Sequence, residues 1–319
     1  MVYSQAWLDV EKAQGGRFAV HGTPEEIKAA HIKMSETMAK LAPQPSDTVV
    51  ASDGEVEEIE YRLYTPKGHS IERPLPVGIY THGGGWMTGD LDSEDWVCRA
   101  VSEKASCIII SVDYRLTPEF QMPSQLNDTL GVYTWAIKNA SSFGGDSTRF
   151  FTIGASASGA IALEVANQMA ANPKLRDTIR GVAALVPSTL HPDYVPAEYE
   201  SIYKSFQENA TNVPLVDRES METFYKHAGV AAQDSNVFTA LATENHKHFP
   251  PVYFVSCEYD PLRDDSYVME QALKNAGVPT RHDHYKGLPH YFWAVRSLPE
   301  TTNFVDSLVC GVLWLFGQM

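Results

Sequence analysis

The sequence predicts an α/β fold: a mostly parallel central sheet with helices on both faces and a helical cap over one end. Three observations carry this expectation. From residue 75 onward, short apolar runs alternate with helical segments. A long excursion over 188–248, rich in proline and aromatic residues, then interrupts that rhythm before it resumes. Finally, residues 150–162 join an apolar strand to a small-residue helix through a single serine, Ser156. A chain of 319 residues, 44% hydrophobic and 20% charged, has the material for one large core, with no repeat or low-complexity tract to dilute it. The expected organisation is N-terminal cap helices over 1–45, a first core part over 46–187, an inserted cap over 188–248 and a second core part over 249–319.

Taken in order, residues 24–41 open with Thr23-Pro24-Glu25-Glu26, a helix start, and carry Ile27, Met34, Met38 and Leu41 at helical spacing until Pro43 and Pro45 stop them. Residues 47–65 alternate as two strands, with the turn expected at Asp53-Gly54. The rhythm that follows predicts strand 75–80, helix 92–104, strand 107–112, helix 125–140, strand 149–154, helix 157–171 and strand 180–186. Within the excursion, helical stretches are expected near 197–207 and 218–228. The sheet then resumes with strand 252–256, helix 264–276, strand 280–285 and a final helix over 301–317. Its apolar run Leu313-Trp314-Leu315-Phe316 is too short to span a bilayer and predicts packing on the sheet or on a second copy of the chain, a homodimer.

Charge and cysteines narrow the partners. Twenty-five Lys and Arg against 40 Asp and Glu leave a formal net charge of −15, which opposes binding to nucleic acid or an anionic membrane. A small neutral or cationic molecule is the easier partner. The N-terminus lacks a basic region followed by an apolar run, so no secretory signal is read there. Cys98, Cys107, Cys257 and Cys310 have no metal-like spacing and suit buried free thiols in the reducing cytoplasm.

Chemistry concentrates at strand ends. Gly154-Ala155-Ser156-Ala157-Ser158 matches a nucleophile elbow, in which a sharp turn lifts the serine hydroxyl above the sheet edge. Small residues are needed at 154 and 158, where the helix crosses its own strand. Asp260 follows strand 252–256 and His290 follows strand 280–285, which completes the chain order Ser, Asp, His. Thr81-His82-Gly83-Gly84-Gly85-Trp86, after strand 75–80, supplies N–H groups for a developing oxyanion. The expected donors are Gly84, Gly85 and Ala157, with His82 bracing the loop. Asp264 and Asp265 are read as opening the next helix, and Asp113 with Arg115 as locking the loop after strand 107–112. His282 and His284 share a strand face, but this pair, like His246 and His248, makes a poor metal site. No metal and no cofactor are expected.

Together these stretches, with Asp113-Tyr-Arg-Leu-Thr-Pro-Glu and Asp260-Pro-Leu-Arg-Asp-Asp, resemble the hormone-sensitive-lipase-like group of α/β-hydrolases from about residue 50 onward. The resemblance implies a capped α/β-hydrolase fold and a serine carboxylesterase that cleaves short or medium acyl esters without a cofactor. The segment from His191 to Tyr199 is most similar to fungal members, some of which serve secondary metabolism. One departure stands out. The group's Gly-Asp-Ser-Ala-Gly-Gly reads Gly154-Ala155-Ser156-Ala157-Ser158-Gly159 here, without the carboxylate beside the nucleophile and with an added hydroxyl. Two other readings therefore stay open: a lyase or cyclase on the same scaffold, and a ligand-binding pseudo-hydrolase.

Overall fold

The structure, a computed structural model, describes residues 2–17, 19–41 and 47–317. Eight strands form one sheet in the order β1-β2-β4-β3-β5-β6-β7-β8. They are β1 (Val49–Val56), β2 (Ile59–Pro66), β3 (Leu75–Thr81), β4 (Ile108–Val112), β5 (Gly145–Ala155), β6 (Ile179–Leu185), β7 (Val252–Tyr259) and β8 (Thr280–Pro289). From β4 to β8 every pairing is parallel, while β1 and β2 pair antiparallel with each other and β2 with β4. The helices are α1 (Gln5–Ala13), α2 (Pro24–Leu41), α3 (Asp95–Ala105), α4 (Ser124–Asn139), α5 (Ala157–Ala171), α6 (Ser205–Glu208), α7 (Arg218–Ala228), α8 (Thr243–His246), α9 (Arg263–Asn275) and α10 (Pro299–Leu315).

The central strands β3 to β7 are largely apolar because both faces are covered, whereas β1, β2 and β8 carry polar, partly exposed residues. Along β4, Ile108 and Ile110 join a core with α4, α5 and α9, whereas Ile109 points the other way into a core with α3 and α10. The C-terminal apolar run packs on this second face: Leu315 fills the space beside Gly181, and Phe316 meets the Phe151 ring edge-on at 5.4 Å. No helix among the described residues is long and apolar enough to cross a membrane.

Two local expectations are corrected. The first hairpin turns at Glu57 and Glu58, both at positive φ, and not at Asp53-Gly54. A two-residue loop with both φ positive matches the twist of the flanking strands. Asp53 and Gly54 lie inside β1, where Asp53 pairs with Arg62 at 2.6 Å and the bare Gly54 makes room for the Tyr61 ring. Within residues 188–248, α7 forms as expected behind an Asp217 and Ser220 capping box. The helix expected over 197–207 does not form; a series of turns leads to the single turn of α6. The cause is competition for donors, since Asp264 Oδ2 accepts the N–H groups of Lys204 (2.7 Å) and Ser205 (2.6 Å) that a helix would have used. Met38 and Leu41, read as the end of the α2 apolar face, and the stop at Pro43 and Pro45 lie outside the described residues or side chains. Conversely, α1, which falls within the helices expected over 1–45, had not been located, and β8 extends beyond the expected strand to Pro289.

Candidate active site

Ser156 sits between β5 and α5 with φ +61° and ψ −125°, a conformation a non-glycine residue rarely holds. The strain is held from both sides: its N–H donates to Leu185 O on β6 (2.8 Å) and its C=O accepts the Ala160 N–H (3.1 Å). Such a turn forces the helix back across its strand. A Cβ at Gly154 would lie 2.3 Å from the Ser158 carbonyl oxygen, so only glycine fits. Ser158 is fully buried, and its hydroxyl is shared between the carbonyls of His82 (2.5 Å) and Ala155 (2.8 Å). It ties the elbow to the glycine loop.

The ends of β7 and β8 bring Asp260 and His290 to that serine. His290 Nε2 lies 2.9 Å from Ser156 Oγ, and its Nδ1 lies 2.8 Å from Asp260 Oδ2. With Nδ1–H donating to the carboxylate, Nε2 accepts the serine proton. Asp260 is completely buried, and its other oxygen accepts the Leu262 N–H (2.8 Å), which fixes the carboxylate plane. Asp264 and Asp265 point elsewhere. Asp264 holds Lys204 and Ser205; Asp265 Oδ1 accepts the N–H groups of Thr189 (2.7 Å) and Leu190 (2.9 Å). These two carboxylates fasten residues 189–190 and 204–205 to the start of α9 and take no part in the serine–histidine chain.

The glycine loop after β3 folds back on itself, with Gly84 O accepting the N–H groups of Met87 (3.1 Å) and Thr88 (3.0 Å). Gly84 has φ +126°, and a Cβ there would lie 2.2 Å from Thr88 O. The N–H groups of Gly84, Gly85 and Ala157 have no partner among the described residues, which leaves three donors free for an anion. His82 is fully buried and stacked on Tyr114 at 4.3 Å, and its Nδ1–H donates to Gly83 O (3.0 Å). Burial pushes its pKa down to about 4, so it stays neutral and braces the loop. Asp113 lies 3.9 Å from His82 Nε2, while Arg115 pairs bidentately with Asp128 of α4. From α7, the Phe224 ring lies against Gly85 and leaves no room for a Cβ there.

This arrangement can transfer an acyl group from an ester to a hydroxyl and then to water. A family profile described as the alpha/beta hydrolase fold matches residues 78–294. The chain belongs to the α/β-hydrolase family. Within it, the chain falls in the hormone-sensitive-lipase-like group. A versiconal hemiacetal acetate esterase of Dothistroma septosporum is 52% identical over 317 residues, spanning 99% of this chain and 96% of that protein. The carboxylesterase NlhH of Mycobacterium tuberculosis is 32% identical over 263 residues, 79% of this chain and 77% of that one. Among solved structures, vibralactone cyclase superposes with a TM-score of 0.89 at 28% identity, covering 99% of this chain and 96% of that one.

The hydrolase carries a second serine–histidine–carboxylate chain that sequence reading missed. Ser256 Oγ on β7 lies 2.8 Å from His282 Nε2 and 2.9 Å from His284 Nδ1, and His282 Nδ1 lies 3.0 Å from Glu270 Oε2 on α9. The two histidines do share a strand face, as alternation requires, but a buried hydroxyl lies between them. Among the described residues, no group of three or more His, Cys, Asp or Glu is placed to hold a metal ion. Glu94, next to the first turn of α3, was also missed. An acidic residue there reads as a solvent-facing helix start, and only the fold reveals that it is buried.

Proposed function

We propose that the protein is a serine carboxylesterase acting through an acyl-enzyme on Ser156, with His290 as general base and acid and Asp260 as the group that orients it. The observation that carries this reading is the chain Asp260, His290, Ser156 at 2.8 and 2.9 Å on a strained elbow. As Ser156 Oγ attacks the ester carbonyl, Nε2 takes its proton and the imidazolium is stabilised by the buried Asp260. The N–H groups of Gly84, Gly85 and Ala157 receive the oxyanion. Collapse expels the alcohol, protonated by Nε2; water then repeats the sequence and releases the acid.

The 52% identical relative supports an acetate ester of a small hemiacetal or alcohol as the substrate class. Aromatic residues suit such an alcohol: Phe224 covers Gly85, and Tyr225 stands 6.2 Å from Trp86 and 4.7 Å from His191. Residues 188–248 and the N-terminal helices form the cap in this reading. Four free cysteines, three of them buried, support a reducing, cytoplasmic setting. A cyclase would use the same acyl-enzyme and let the substrate's own nucleophile replace water. The Ser158 hydroxyl, held by two backbone carbonyls, is not turned toward such a substrate, which favours hydrolysis. The test is incubation with a fluorophosphonate probe and mass mapping of the adduct. Labelling of Ser156, with free acid and alcohol as products from an acetate ester, is expected; an unlabelled Ser156 overturns the assignment.

A further inference from the structure

We propose that Glu94, reaching up beside the N-terminus of α3, is a positioning residue of the oxyanion loop and that it works in its neutral form. The inference rests on the reading of Gly84 and Gly85 as oxyanion donors. Glu94 Oε2 accepts the Gly83 N–H (3.2 Å) and the Tyr80 hydroxyl (2.6 Å), so one oxygen joins the end of β3 to the residue before the two donors. The gap beside Gly83 is bounded by Ala155 O, the Tyr291 ring and Glu94 Oε1, which lie 3.3, 3.4 and 3.5 Å from where a Cβ would sit. Those three belong to the elbow, the loop of the base and α3. Glu94 thus stands where the three loops of the site meet, and Ala155 brings no carboxylate of its own to this place.

Burial favours its neutral carboxyl. Glu94 is 3% exposed, and Oε1 has no hydrogen-bond partner. Burial pushes its pKa up to about 7, against the opposing pull of the Tyr80 hydroxyl and the Gly83 N–H. The groups facing it are Tyr80 from β3, Tyr114 after β4 and Cys98 within α3, all raised by burial and neutral at working pH, with Asp95, Arg62 and Tyr64 beyond them. When Glu94 ionises, a negative charge appears behind donors whose task is to stabilise another negative charge. The sign follows: turnover is highest with Glu94 protonated and falls as pH rises through its ionisation.

The experiment measures kcat and KM for an acetate ester from pH 5.5 to 9 in the wild type, Glu94→Gln, Glu94→Leu and Ser156→Ala, with thermal unfolding as a check on folding. In the wild type, kcat should fall about tenfold across the alkaline limb, roughly the effect of one buried like charge. Glu94→Gln, which keeps an acceptor for Gly83 but cannot ionise, should lose that limb with KM within about twofold. Glu94→Leu should lower kcat by about a hundredfold at unchanged KM, because the Gly83 N–H is left unpaired, and Gln should restore most of this. An alkaline limb that persists in Glu94→Gln, or a folded Glu94→Leu with wild-type kcat, overturns the proposal. If Glu94→Leu does not fold, the Gln profile decides alone. Undiminished turnover in Ser156→Ala would instead overturn the nucleophile assignment, a separate result.

Discussion

Two serine–histidine–carboxylate chains lie in one sheet, and their hydrogen bonds are nearly indistinguishable. Ser156, His290 and Asp260 are linked at 2.9 and 2.8 Å; Ser256, His282 and Glu270 are linked at 2.8 and 3.0 Å. What differs is everything around them. Ser156 occupies a left-handed turn at a helix start, with unpaired N–H groups beside it. Ser256 is fully buried within β7 in ordinary strand geometry, its ladder partner on β8 being His284. Its hydroxyl also meets a second imidazole, which leaves no position for a reacting carbon. A hydrogen-bonded triad is therefore not a catalytic one by itself; the strained backbone and the free donors set the two apart.

The comparison can be broken most sharply at the two serines. Ser156→Ala should lower ester turnover by roughly three orders of magnitude or more, as loss of a triad nucleophile does, and a steady-state assay with an acetate ester reads this directly. Unchanged turnover would remove Ser156 from its role.

Next in size is the acid. Asp260→Asn forces the wrong imidazole tautomer and should cost about 10³- to 10⁴-fold in kcat. Asp264→Asn and Asp265→Asn, which loosen the hold on residues 204–205 and 189–190, should cost far less. A reversed ranking in the same assay would move the triad.

Position 158 tests the crossing. Ser158→Gly removes one hydroxyl and should stay within about tenfold, or about 1.4 kcal/mol in barrier. Ser158→Leu should abolish activity, because a branched side chain in that fully buried place displaces Ser156. Equal activity in the two variants would refute the steric account.

The smallest catalytic effect belongs to the second chain. Ser256→Ala should leave kcat within about twofold while costing about 1–3 kcal/mol of stability, since two imidazole nitrogens lose their partner. Urea denaturation reads the loss. Glu270 adds a pH signature: although burial alone would raise its pKa, the His282 and Lys274 partners bring it down to about 2. Its folded value lies below the unfolded one, so its stabilisation is present above about pH 4.5 and disappears as pH falls toward 2. The stability gap between wild type and Glu270→Gln should close over that window.

Much of this was legible in the sequence for physical reasons. Apolar runs of strand length, the glycines at 83–85 and the small residues at 154–159 each leave a local imprint, and so the sheet, the elbow and the order of Ser156, Asp260 and His290 could be read. The hairpin turn was misplaced because Asp53-Gly54 is the stronger local turn signal, while Glu57 and Glu58 hold positive φ by virtue of the flanking strand register. The helix over 197–207 was misread because its N–H groups are claimed by Asp264, far along the chain. Glu94 and Ser256 were invisible for the same reason: their burial is decided by partners that no local pattern reveals.

The first residues of the chain have a practical bearing on work with this enzyme. The Val2 N–H donates to the Tyr259 hydroxyl (2.5 Å), the Ser4 N–H donates to Gly287 O (2.8 Å), and Tyr3 packs on Tyr259 at 4.3 Å. Residues 2–4 thus form a clasp across the ends of β7 and β8, the strands that lead into Asp260 and His290. An affinity tag fused ahead of Val2 departs from that clasp, where its bulk and charge press on the acid and base loops. Leu315 and Phe316, by contrast, rest on Gly181 of β6 and Phe151 of β5, inside the sheet and not on these two loops.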